Sequence, residues 1–139
     1  MPVFLGLDLG EKRVGVSRSD ETGTIAEAYA TLSYQTKEDL LRQLMRCVDE
    51  LKPAKIVVGF PETLRGETGP AAKKVLKQVE WLKPRLPIEW VLWDERFTTV
   101  EAERTLLEAD LSRAKRRDLR DRLAAQRILQ SYLDQAKEG

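Results

Sequence analysis

The spacing of hydrophobic and polar residues changes period along this 139-residue chain, and each change predicts an element. Val3 to Leu9 is a short apolar run closed by Gly10, the pattern of a buried strand. Arg13 to Ser19 alternates, with Val14 and Val16 on one face and Gly15 and Ser17 on the other, as in a half-buried strand. Ile25 to Leu32 reads as a third strand, and the short polar turns between the three predict an antiparallel meander. From Thr36 the period becomes helical, with Leu40, Leu41, Leu44, Val48 and Leu51 on one stripe, Thr36 as N-cap and Pro53 as the stop. Ile56 to Phe60 carries no polar side chain and predicts a strand covered on both faces. A loop with Gly and Pro runs from Pro61 to Pro70. A helix over Ala71 to Leu82 follows, broken by Pro84 and Pro87. Ile88 to Trp93 predicts a fifth strand. A helix from Thr99 to Ala109 comes next, then a basic stretch, then a last helix to about Ala136.

Alternating helix and strand after a meander predicts an α/β fold. Its mixed five-stranded sheet has three antiparallel strands and then two parallel ones, with helices on both faces. The length predicts one domain, residues 1–139. Sites in such sheets gather at the carboxyl ends of the parallel strands. Asp8, the Gly59–Gly69 segment and Asp94-Glu95 all fall there.

Composition narrows the chemistry. The chain has no His and a single Cys, Cys47, which excludes imidazole bases, His ligands, an intrachain disulfide and Cys-rich metal sites. Any enzymatic chemistry falls to carboxylates, hydroxyls, cationic side chains or a borrowed metal. No apolar run reaches the roughly 18 residues that a membrane span needs. With no basic n-region before the first apolar stretch and no paired cysteines, a cytoplasmic protein is expected.

Three acidic positions stand out. Asp8 lies in an otherwise apolar strand, two residues before Gly10; it is either an Asx-turn residue or a ligand. Asp94-Glu95 ends a buried strand; the pair either binds a cation or starts a helix with Thr99 as cap and Arg96 as local partner. Asp121 lies on the apolar stripe of the last helix with Ala124, Ala125, Ile128 and Tyr132, so its carboxylate points toward the body of the protein. It meets a metal or an Arg there, unless the helix start frays outward, and Asp118 one turn earlier could replace it. Inward carboxylates from separate elements suit a hard cation, Mg2+ or Mn2+, which needs no imidazole. Two such ions can support phosphodiester cleavage.

The overall charge of +1 conceals a local excess. Arg113 to Arg122 holds six basic residues against two acidic ones, a net +4 beside Asp121. This is either a solvated helix face or a grip on a polyanion. Arg65 and Lys73-Lys74 could add contacts. The Gly59–Gly69 segment lacks the GK[ST] ending of a nucleotide-binding loop. Trp81, Trp90 and Trp93 are expected to pack the core or its edge.

Taken in order, four segments resemble one known family. They are Leu5–Gly10 with Arg13–Ser17, Val58–Pro61 with Gly66 and Gly69, Asp94–Ala102, and Asp121–Ala125 with Ile128-Leu129. The chain looks like the YqgF/RuvX family of Holliday-junction-resolvase-like nucleases, also described as pre-16S ribosomal RNA processing nucleases. The resemblance implies an RNase H-like fold. It implies a metal-dependent phosphodiesterase whose acids are Asp8, Glu95 and Asp121, with Mg2+ or Mn2+ as cofactor. Arg13, Arg65, Arg96, Arg113, Lys115, Arg116, Arg117 and Arg120 are then the expected nucleic-acid contacts. The chain departs from the family pattern at Phe60, where Leu is usual, and at Glu62-Thr63, where the family has Asn. The expected substrate is precursor 16S RNA. Branched DNA, which would favour a two-fold homodimer, is the alternative. A binding module with little cleavage is a second alternative. An actin-like ATP-handling domain, which shares the Asp-x-Gly motif, is a third.

Overall fold

The computed structural model describes residues 3–61, 69–94 and 112–138. The expected helix over 99–109 lies outside them. Five strands, β1 (Phe4–Leu9), β2 (Arg13–Ser19), β3 (Ala26–Ser33), β4 (Lys55–Phe60) and β5 (Glu89–Asp94), form one sheet in the order β3-β2-β1-β4-β5. β2 pairs antiparallel with β1 and β3, whereas β4 runs parallel to β1 and β5. The expected mixed sheet is therefore present. The helices are α1 (Lys37–Leu51), α2 (Pro70–Leu82) and α3 (Arg113–Glu138).

Local chemistry sets the element ends. The Thr36 side chain accepts a hydrogen bond from the Asp39 N–H at 3.1 Å, and Glu38 and Asp39 lie in the first turn of α1. Lys52, at φ 47°, closes α1 by donating its N–H to the Val48 carbonyl. Pro70 opens α2, where its missing N–H costs no helical bond. A single 3₁₀ turn, Lys83–Arg85, ends α2 and contains Pro84.

β3 starts at Ala26, one residue later than the pattern predicts, because Asp20 holds the preceding turn. Its Oδ1 accepts from the N–H groups of Thr24 and Ile25, and its Oδ2 accepts from the Thr22 hydroxyl. These bonds, led by that of Thr22, hold the Asp20 carboxyl below its ordinary 3.8. A depressed folded-state pKa contributes stability above the unfolded value and loses it as pH falls through the folded one. Asp20→Ala is therefore expected to lower the Tm at pH 7. The difference from wild type should shrink toward pH 2, as read by thermal unfolding across that range. A pH-independent difference would remove the carboxylate from the explanation.

The core lies in two layers. On one face, Leu5, Leu7, Val14, Val16, Ile56 and Val58 pack against Leu40 and Leu44 of α1 and Val75, Val79 and Leu82 of α2. On the other, Ala26 and Val57 pack against Ile128, Leu129 and Leu133 of α3. Trp81 and Trp90 sit against the first cluster and Trp93 against the second, as expected.

Two features correct the sequence reading. β2 is covered on both faces, not one. Gly15 and Ser17 face α3, and the Ser17 hydroxyl donates to the Ala125 carbonyl at 2.7 Å. A Cβ at Gly6 would lie 2.8 Å from Leu129 Cβ, and one at Gly15 would strike the Asp121 carbonyl. Absent side chains thus let the helix backbone approach the sheet closely. The basic stretch is not a separate linker either; it forms the first turns of α3. The Ser112 hydroxyl accepts from the Lys115 N–H, a cap that the charge run obscures, and Arg and Lys are good helix formers.

Candidate active site

Asp8 occupies the carboxyl end of β1. Leu7 and Leu9 face α1 and α2, so alternation turns Asp8 to the α3 side, opposite Gly15 of β2. The turn that follows is held from three directions. Gly10 N–H donates to the Arg13 carbonyl at 3.0 Å. The Gly10 carbonyl accepts from Gln78 Nε2 at 3.1 Å and from the Tyr34 hydroxyl, which also lies 2.9 Å from Gln78 Nε2. Lys74 pairs with Glu11 and holds its carboxyl below the usual glutamate range. Burial raises the Tyr34 phenol, so it stays a neutral donor at pH 7.

Asp121 comes to the same place from α3. Its close approach depends on Gly15, over which its own carbonyl lies. Arg13 Nε donates to Asp121 Oδ2 at 2.7 Å, the Arg partner that the inward direction of this acid allows for. Asp8, Asp121 and Arg13 line one cleft of about 350 Å³, together with Gly10, Glu11 and Lys12. A wider groove of about 790 Å³ continues past Lys12 and Arg13 to Tyr34, Gln35 and Arg117. A third depression, bounded by Pro61, Pro70, Lys74 and Gln78, reaches Asp8 from the α2 side.

The structure thus brings together Asp8, Asp121, Arg13 and Arg117. Glu95, Arg65 and Arg96 lie outside the described residues. Asp94 pairs with Phe60 in the sheet register, on the face away from Asp8. Asp118 pairs with Arg122 at 2.9 Å and lines the wider groove rather than the cleft of Asp8 and Asp121. Arg113, Lys115, Arg117 and Arg120 are exposed on the first turns of α3, with Arg116 half-buried. Among the described residues no three His, Cys, Asp or Glu side chains form a metal-holding group. None of the described helices is long and apolar enough to cross a membrane.

Lys12, Tyr34, Gln35 and Gln78 also line these clefts, and hydrophobic patterning does not single them out.

Comparison with known folds defines the class first. Thermus thermophilus RuvC, solved in complex with a Holliday junction substrate, superposes with a TM-score of 0.62 at 14% identity, over 100% of this chain and 97% of that one. The fowlpox virus resolvase, solved with Holliday junction DNA, superposes with a TM-score of 0.58 at 10% identity, over 96% and 98%. The fold is RNase H-like, of the RuvC type. Sequence then narrows it: residues 2–135 match the family RuvX, described as Holliday junction resolvase, and the chain belongs to that family. A protein of Thermoanaerobacter pseudethanolicus named "Putative pre-16S rRNA nuclease" is 45% identical over 135 residues, covering 96% of this chain and 97% of that protein. One of the same name from Desulforudis audaxviator is 41% identical over 136 residues, covering 98% and 96%.

Proposed function

We propose that this chain is a single-domain, divalent-metal-dependent nuclease that matures the 5′ end of precursor 16S rRNA in the cytoplasm. The observation that carries the reading is the convergence of Asp8 and Asp121 on one cleft beside a groove lined by Lys12, Arg13 and Arg117. The near full-length similarity to relatives named as pre-16S rRNA nucleases supports the substrate.

The donors fit a hard cation. Asp8 and Asp121 offer carboxylate oxygens, no imidazole is available, and the family resemblance adds Glu95. When bound, Mg2+ or Mn2+ supplies Lewis-acid stabilisation of charge that builds on the phosphate. The protein's own residues bind and orient. Lys12 and Arg117 hold phosphates along the groove, and Arg113, Lys115, Arg116 and Arg120 extend that grip along α3. Tyr34 and Gln78 brace the turn after Asp8, so the carboxylate stays in place while the substrate is drawn across it.

The test is a parallel cleavage assay on a precursor 16S 5′ leader RNA and a four-way DNA junction, each with Mg2+, with Mn2+ and with EDTA. RNA cleavage in either metal, its loss in EDTA and a far slower junction reaction are expected. Resolution of the junction with the RNA left intact would reassign the substrate. Undiminished cleavage in EDTA would remove the metal.

A further inference from the structure

Arg13 opens β2 on the face it shares with Gly15 and Ser17, beneath α3. Its side chain is 33% exposed and that of Asp121 is 20% exposed. The pair is joined through Nε and Oδ2 alone. That is a single bond from the side of the guanidinium, not the two-bond fork of the strongest Arg–carboxylate pairs. The same guanidinium lines both the cleft of Asp8 and Asp121 and the wider groove of Lys12 and Arg117. One cation therefore stands where the carboxylate site meets the groove, whose lining sets Lys12, Arg13 and Arg117 against Glu11 and Asp118.

We propose that Arg13 is an exchangeable counter-ion. It neutralises Asp121 while no metal is bound, and it turns to a substrate phosphate in the adjoining groove when a divalent cation takes that carboxylate. The inference rests on the nuclease reading above. A partly buried carboxylate needs a positive partner. A guanidinium and a divalent cation cannot share Oδ2 without strong like-charge repulsion. Once displaced, the guanidinium presents a planar fork of donors matched to phosphate oxygens. Metal and nucleic acid then bind with positive coupling, because the metal frees Arg13 for phosphate and phosphate holds Arg13 off the carboxylate that the metal uses.

Calorimetry with Mn2+ and no nucleic acid tests the first half, on the full chain as wild type, Arg13→Gln and Arg13→Lys. Arg13→Gln is expected to bind Mn2+ about fivefold tighter or more, because the competing cation is gone. Arg13→Lys keeps a competing charge and should stay near wild type. Equal or weaker binding by Arg13→Gln overturns the proposal. Fluorescence anisotropy with the leader RNA tests the second half, in Ca2+ and in EDTA. Both variants should lose affinity by about fivefold or more in Ca2+ and by under about twofold in EDTA, where Arg13 is engaged by Asp121. Equal losses in the two conditions would make Arg13 a constant phosphate contact and sink the exchange. Should Arg13→Gln fail to fold in thermal melts, the Arg13→Lys pattern alone decides: the same RNA loss in Ca2+ and EDTA overturns the idea. Failure of the wild type to bind Mn2+ would be a separate result, against the metal-dependent reading itself.

Discussion

Asp8→Asn is expected to abolish most cleavage while leaving the fold and the grip on nucleic acid in place. The substitution keeps the size of a half-buried side chain at the end of β1, so no cavity opens. It removes one of the three carboxylates, Asp8, Glu11 and Asp121, among the residues lining a small cleft, and with it a charged oxygen donor for a hard cation. Loss of a preorganised electrostatic group at a reacting centre costs on the order of 10²–10³-fold in rate. Mn2+ affinity should fall with it. The leader RNA should bind nearly as before, because the basic residues of the groove and of α3 are untouched. The Tm should change little, because the amide keeps the size of the side chain and an accepting oxygen. Single-turnover cleavage, Mn2+ calorimetry, RNA anisotropy and thermal melts read the four effects separately. Metal-dependent cleavage at the wild-type rate would take Asp8 out of the mechanism. Loss of RNA binding together with cleavage would make its role one of shape.

Period and turn chemistry make most of the fold legible in the amino-acid sequence. The apolar run of β4 and the Thr36 cap of α1 both stand where the pattern puts them. So does the antiparallel meander of β1, β2 and β3. Contacts between positions far apart in the chain are not legible. Gly15 and Ser17 look like a solvated face because their cover, α3, lies 108 residues away at the Ser17–Ala125 bond. The start of α3 escapes notice because a charge run resembles a linker unless Ser112 is recognised as its cap. Asp121 is legible because a carboxylate on an apolar stripe contradicts its surroundings, and such contradictions mark sites. Tyr34 and Gln78 are not, because a neutral side chain that bonds a turn carbonyl carries no such mark in sequence.

Gly15→Ala is expected to damage stability and cleavage together, through one added methyl group. Gly15 lies in β2 between β1 and β3, so the sheet cannot move aside. The new Cβ would meet the Asp121 carbonyl oxygen head-on and lie 2.6 Å from its carbon and 3.4 Å from Arg122 N. These are backbone atoms of a helix, and no change of rotamer relieves the overlap. α3 must shift outward, while Ser17, Thr31 and Gln130 tie it to β2, to β3 and to the turn before β3. Overpacking of this kind costs about 3 kcal/mol. That is a large part of the roughly 5–15 kcal/mol available to a small domain. At this chain length it should lower the Tm by about 10 °C. The shift carries Asp121 away from Asp8, and a misplacement near an ångström costs about 10²-fold in rate. Ser17→Ala is the control: it removes the bond to the Ala125 carbonyl, costs about 1 kcal/mol and leaves the carbonyl of Asp121 over Gly15. Thermal melts paired with cleavage at a temperature where both variants are folded separate the two effects. A folded Gly15→Ala that cleaves at the wild-type rate would show that the position of Asp121 does not limit the reaction.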